Sequence, residues 1–214
     1  MNSFYNKIKV FLGIKEKEIN PILSLFLDKK CVFFHIPKTA GISISNALFG
    51  DVKWGHRSVN FYKSHYGEKV FNSLYKFCFV RNPYDRLFSA YTFLKEGGIN
   101  NQDLEFSNSY LQEFASFDEF VLEGLEKEEI MNWVHFKPQY TFVCDENDNI
   151  VMDFVGKMEN LNADFNAVCK HLNIESELQK LNMSATKKND FSEEVKTMIK
   201  LKYQKDFNLF YPHL

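Results

Sequence analysis

Twice along this chain a short apolar run ends in a tight break and is followed by a helical pattern. Cys31-Val-Phe-Phe-His35 has the length and the β-branched and aromatic content of a buried strand. Ile36-Pro-Lys-Thr-Ala-Gly41 interrupts it, and Ile42 to Phe49 resumes with Ile44 and Leu48 at helical spacing. Lys76-Phe-Cys-Phe-Val80 reads as a second buried strand. After it, Asn82 can cap a helix, Pro83 suits its first position and Asp85 complements its positive end. Leu87, Tyr91 and Leu94 then share one helical face. Two such units joined by a crossover imply an α/β fold, a parallel sheet flanked by helices.

The 214 residues are enough for one domain with additions, able to bury roughly 70% of the unfolded surface. We read residues 1–30 as an N-terminal helical extension, with a short amphipathic helix over Phe4 to Leu12, and residues 31–214 as the domain. Beyond Gly98 the chain turns polar through Asn108, which reads as an exposed insertion. Ser116-Phe-Asp-Glu119 is a capping box opening a helix to about Glu126. Gln139 to Val155 reads as a hairpin and strand turning at Asp145-Glu-Asn-Asp-Asn149. A helix is expected from about Asn162 to Leu172. Another begins near Ser192, with Glu193 and Glu194 at its start and Lys200, Lys202 and Lys205 towards its end.

Lys and Arg total 26 against 28 Asp and Glu, a formal charge of −2. That balance argues against nucleic acid as a partner, which needs a dense basic surface, and leaves room for a small basic pocket around one anion. Cys31, Cys78, Cys144 and Cys169 form no CxxC pair and sit among apolar neighbours, so buried free thiols in a reducing compartment are expected. No apolar stretch approaches the ~20 residues of a spanning helix, and charges interrupt the first twenty residues, unlike a secretory leader. The expectation is a soluble, cytoplasmic protein with no transmembrane segment.

The chemistry-bearing residues lie in the two breaks. A loop leaving a strand and opening a helix presents free backbone N–H groups with the helix dipole behind them, an anion cradle. Within Pro37-Lys38-Thr39-Ala40-Gly41-Ile42-Ser43, Gly41 permits close approach, Lys38 adds a cation, and Thr39 and Ser43 add hydroxyls. The Walker order is absent, because Lys precedes Gly. A capped turn carrying a surface lysine would have the same pattern. In the second break Arg81 stands at the carboxyl end of a strand, where open α/β sheets bind ligands, and a guanidinium there can grip a phosphate in a fork. Pairing of Arg81 with a carboxylate is the alternative. Ser89 lies on the following helix, and Arg86 reads as a solvated helix arginine.

Taken together, these motifs resemble the sulfotransferases that use 3′-phosphoadenosine 5′-phosphosulfate (PAPS), more narrowly the carbohydrate branch with the chondroitin and heparan 2-O enzymes. The resemblance implies a sulfotransferase fold related to P-loop nucleotide kinases. It implies that Lys38, Thr39, Ala40, Gly41, Ile42 and Ser43 hold the 5′-phosphosulfate and that Arg81 and Ser89 hold the 3′-phosphate. Adenosine 3′,5′-bisphosphate (PAP) would be the product. His135-Phe-Lys-Pro-Gln139 and Asp153-Phe-Val-Gly-Lys-Met-Glu159 are similar to chondroitin-type segments, making His135 and Gln139 candidates for holding the acceptor. Trp54-Gly55-His56-Arg57 resembles the segment supplying the base in heparan 2-O enzymes. His56 is therefore the candidate base, with Lys38 stabilising the departing charge and Glu68 the second candidate base. His35 reads as structural or loop-supporting, and His65, His171 and His213 as ordinary. Trp54, Trp133 and Phe136 could face a sugar, and Lys187 and Lys188 could close over the donor.

The expected activity is transfer of a sulfuryl group from PAPS to a hydroxyl, most readily of a carbohydrate, with no metal. Two rivals share the cradle: a metal-dependent nucleotide or small-molecule kinase, and a non-catalytic nucleotide-binding module.

Overall fold

The structure, a computed structural model, describes residues 21–52, 55–178 and 190–214. The expected helix at Phe4 to Leu12, together with Trp54, Lys187 and Lys188, lies outside the described residues. In chain order the elements are α1 (Pro21–Asp28), β1 (Cys31–Phe34), α2 (Gly41–Phe49), α3 (Val59–Tyr66), α4 (Glu68–Ser73), β2 (Tyr75–Val80), α5 (Pro83–Lys95) and α6 (Asn101–Tyr110). They continue with α7 (Phe117–Glu123), α8 (Glu128–Asn132), α9 (Tyr140–Val143), β3 (Phe154–Lys157), α10 (Leu161–Leu172), α11 (Glu193–Lys202) and α12 (Gln204–Phe210). The α/β class with a small sheet flanked by helices is thus present. The described residues divide into two compact units, the first comprising residues 21–36, 40–52, 55–79 and 142–178, the second residues 37–39, 80–141 and 190–214.

The first unit holds the sheet, in the order β1-β2-β3. β1 and β2 pair in parallel, from Cys31 opposite Tyr75 to Phe34 opposite Cys78. Cys31 to Phe34 and Phe77 to Phe79 are wholly buried, as strands covered on both faces must be. Much of the cover is aromatic: Phe33 stacks on Phe77 at 5.1 Å, Tyr62 meets Phe34 edge-on at 4.8 Å, and Phe26 meets Phe49 at 5.1 Å. Such pairs add to area burial. All four cysteines are free and buried.

The second unit is helical. Asn82 caps α5 by accepting from the Tyr84 N–H at 3.0 Å, with Pro83 in the first turn. Leu87, Ala90, Tyr91 and Leu94 are buried along one face. Ser116 accepts from the Glu119 N–H at 3.1 Å and opens α7.

Four expectations need correction. Residues 98–108 are not an exposed insertion: Asn100 caps α6, and Asp103, Phe106 and Ser107, spaced three and four apart, are buried. Gln139 to Val143 is not a strand. The Asp206 carboxylate accepts the N–H groups of Gln139 (2.8 Å) and Tyr140 (2.9 Å), satisfying the start of a helical turn. What remains of the hairpin is one antiparallel bridge between Cys144 and Ile150. Lys205 does not end the helix begun at Ser192, because the chain breaks at Tyr203 and restarts as α12. Arg86 is not solvated but fully buried, donating to the carbonyls of His135 (3.2 Å) and Lys137 (2.6 Å).

Candidate functional site

In the first unit the chemistry gathers where β1 ends. Ala40 is left-handed (φ 62°, ψ 19°) and precedes α2, which no side chain caps. The first intrahelical bond runs from the Ile44 N–H to the Ala40 carbonyl, so the preceding N–H groups stand ahead of the helix ladder. A left-handed residue followed by a right-handed one folds successive N–H groups into a nest for an anion. A Cβ at Gly41 would lie 2.8 Å from His35 Cγ and overlap the far edge of that ring. Glycine is required there by close approach, and His35 supports the loop as its position suggests.

His35 also reaches His56. The His56 Nδ1 is 2.8 Å from the His35 carbonyl oxygen, and the two rings are 4.4 Å apart. A carbonyl only accepts, so Nδ1 carries the hydrogen and the Nε2 of a neutral His56 holds the lone pair. Gly41, His35 and His56 are therefore brought together. Ile42 is exposed and Ser43 half-buried on the first turn of α2, while Glu68 is exposed at the start of α4.

In the second unit Lys38, itself left-handed at φ 69°, places its ammonium 3.8 Å above the Phe93 ring, a cation–π contact. Burial lowers its pKa from 10.5 to about 8; the Arg81 charge pushes the same way, and Asp103 and Glu96 oppose it. Arg81 donates from its guanidinium to the Lys38 carbonyl at 3.4 Å. Thr39 is buried, and Ser89 is half-buried on α5. The Arg81 guanidinium is thus set against the Lys38 main chain while the Lys38 ammonium lies over Phe93.

His135 and Gln139, expected to hold an acceptor, are both buried. The His135 Nε2 is 3.4 Å from an Asp103 carboxylate oxygen. Gln139 spends its amide on Arg81, accepting from its N–H and donating to its carbonyl, each at 2.9 Å. Trp133, half-buried, stacks on Phe106 at 4.3 Å, and the buried Phe136 packs at a tilt against Phe120 at 5.0 Å. Sequence reasoning missed Asp103, Phe93 and Asp206. The signal for Asp103 was its spacing from Phe106 and Ser107; nothing local marks the other two.

The model of the Sulfotransferase family matches residues 25–212. The chain belongs to the sulfotransferase family. That span contains both strand–loop–helix breaks and the helices that follow them, and the family assigns sulfuryl transfer as the general chemistry. An uncharacterized protein of Archaeoglobus fulgidus is 31% identical over 115 residues, covering 52% of this chain and 78% of that protein. No solved structure matches the chain. Among the described residues no group of three or more His, Cys, Asp or Glu could hold a metal ion, and no helix is long and apolar enough to cross a membrane.

Proposed function

We propose that this sulfotransferase takes its sulfuryl group from PAPS and delivers it to a hydroxyl of a carbohydrate, in the manner of the chondroitin and heparan 2-O branch. The observation that carries the donor reading is the start of α2, where the left-handed Ala40 and Gly41 form a nest that no side chain caps. In this reading the fold is P-loop-like. Backbone N–H groups from Thr39 to Ser43 receive the 5′-phosphosulfate, and Arg81 with the Ser89 hydroxyl receives the 3′-phosphate.

Bound there, the donor supplies the sulfuryl group, whose sulfur forms a bond to the acceptor oxygen as its bond to the phosphate oxygen breaks. His56 takes the hydroxyl proton on Nε2, its Nδ1–H being held by the His35 carbonyl. Lys38 stabilises the charge left on the phosphate. Preorganised donors of this kind contribute ~2.7–4 kcal/mol each when removed singly, and the 3′-phosphate grip spends remote binding energy on orientation.

Calorimetric titration with PAP and with AMP tests the donor. PAP is expected to bind far more tightly, and Arg81→Ala to cost about 1.5–3 kcal/mol of PAP binding, the range for a hydrogen bond to a charged group. Equal affinity for the two nucleotides overturns the reading. Turnover of PAPS against a panel of glycans and simple alcohols tests the acceptor; transfer confined to the alcohols removes the carbohydrate.

A further inference from the structure

Arg81 stands one residue past the end of β2, where the strand ladder no longer supplies partners. Gln139 takes over. Its Oε1 accepts the Arg81 N–H and its Nε2 donates to the Arg81 carbonyl, both at 2.9 Å. The side-chain amide thereby does for Arg81 what a neighbouring peptide does for a strand residue. Gln139 is fully buried, so these bonds face no competition from solvent.

The segment presenting Gln139 is itself clamped. Asp206 of α12 holds the main-chain N–H groups of Gln139 and Tyr140, and Arg86 of α5 holds the carbonyls of His135 and Lys137. The Tyr203 hydroxyl donates to the Phe136 carbonyl at 2.7 Å. The segment is a bracket whose working end is one amide on one arginine. Only an amide both accepts and donates there: an ionised carboxylate accepts alone, and an alkyl chain does neither.

We propose that Gln139 is a positioning residue that sets the Arg81 main chain, and through it the aim of the guanidinium at the 3′-phosphate; this rests on the donor reading above. A guanidinium fork is directional, so tilting its backbone costs the 3′-phosphate contact and leaves the rest of the nucleotide untouched.

The experiment titrates the wild type, Gln139→Leu and Gln139→Glu with PAP and AMP, with thermal unfolding alongside. The wild type is expected to prefer PAP by at least about tenfold. Gln139→Leu is expected to lose most of that preference while AMP affinity changes by less than about twofold. Gln139→Glu, which keeps the acceptor for the Arg81 N–H, should fall between them. Burial and the neighbouring Asp206 carboxylate both raise the pKa of this carboxyl, so the variant's preference, relative to wild type at the same pH, should recover as pH falls and the carboxyl regains a proton to donate. Should Gln139→Leu fail to fold, Gln139→Glu decides. Undiminished preference in the variants, or equal weakening of both nucleotides, overturns the inference while leaving the donor reading intact. A wild type that binds PAP and AMP alike overturns both.

Discussion

Replacing Gly41 with alanine puts two effects in opposition. Alanine is the better helix former by up to ~1 kcal/mol, and less than that in a first turn. Against this, the added methyl overlaps the His35 imidazole. That ring cannot simply turn aside, being stacked on Phe33 at 6.0 Å and packed against His56 at 4.4 Å. Forcing an extra carbon into such a contact costs about 1–3 kcal/mol, so Gly41→Ala should be net destabilising by about that amount. In a His35→Ala background the obstacle is gone, and the same substitution should be neutral or slightly favourable. The coupling between the two sites should then be about 1–3 kcal/mol, within the range for residues in contact. Urea unfolding of the four proteins measures it, with equal slopes confirming that midpoints report stability. If Gly41→Ala costs the same whether or not the imidazole is present, the close approach is not the reason for glycine here.

Four more outcomes are expected. Arg86→Met strips the His135 and Lys137 carbonyls of their buried donors, and at ~1–3 kcal/mol for each orphaned group it should cost about 2–6 kcal/mol in denaturant unfolding. Because Lys38 titrates near 8, PAP affinity should fall as pH rises through that value, and a Lys38→Arg protein should lose that dependence. The same depressed pKa makes the unfolded state bind more protons between 8 and the ordinary 10.5, so this group's contribution to stability should rise with pH across that window. His56→Ala should lower kcat roughly 10²–10⁴-fold in single-turnover transfer and leave PAP binding unchanged, whereas lost binding would make His56 structural.

What the sequence disclosed follows from range. The two strands, the Asn82–Pro83 helix start and the Ser116 box are local patterns, and the structure has them. Arg86 was legible and misread: it shares a stripe with Pro83, Ala90 and Leu94, and its register says inside even though its charge says outside. The Gln139–Val143 turn was not legible, because what stabilises it is Asp206, 67 residues away from Gln139. The same distance hid the contacts of Gln139, which the sequence marks only as a candidate for holding the acceptor. The tautomer of His56 depends on a main-chain carbonyl 21 residues earlier, which no spacing rule describes.

The clamp on Arg81 also has a history in time. Arg81 leaves the ribosome long before Tyr203 and Asp206, so the segment carrying Gln139 meets the Arg86 clamp first and gains the other two only when those residues are made. The sheet can assemble early from local units, as nascent domains begin to do. On the proposal above, Arg81 takes its aim only once Asp206 holds the segment that carries Gln139. If Gln139 does aim Arg81, a chain cut short before α12 should lose the preference for a 3′-phosphate along with the Asp206 hold on Gln139.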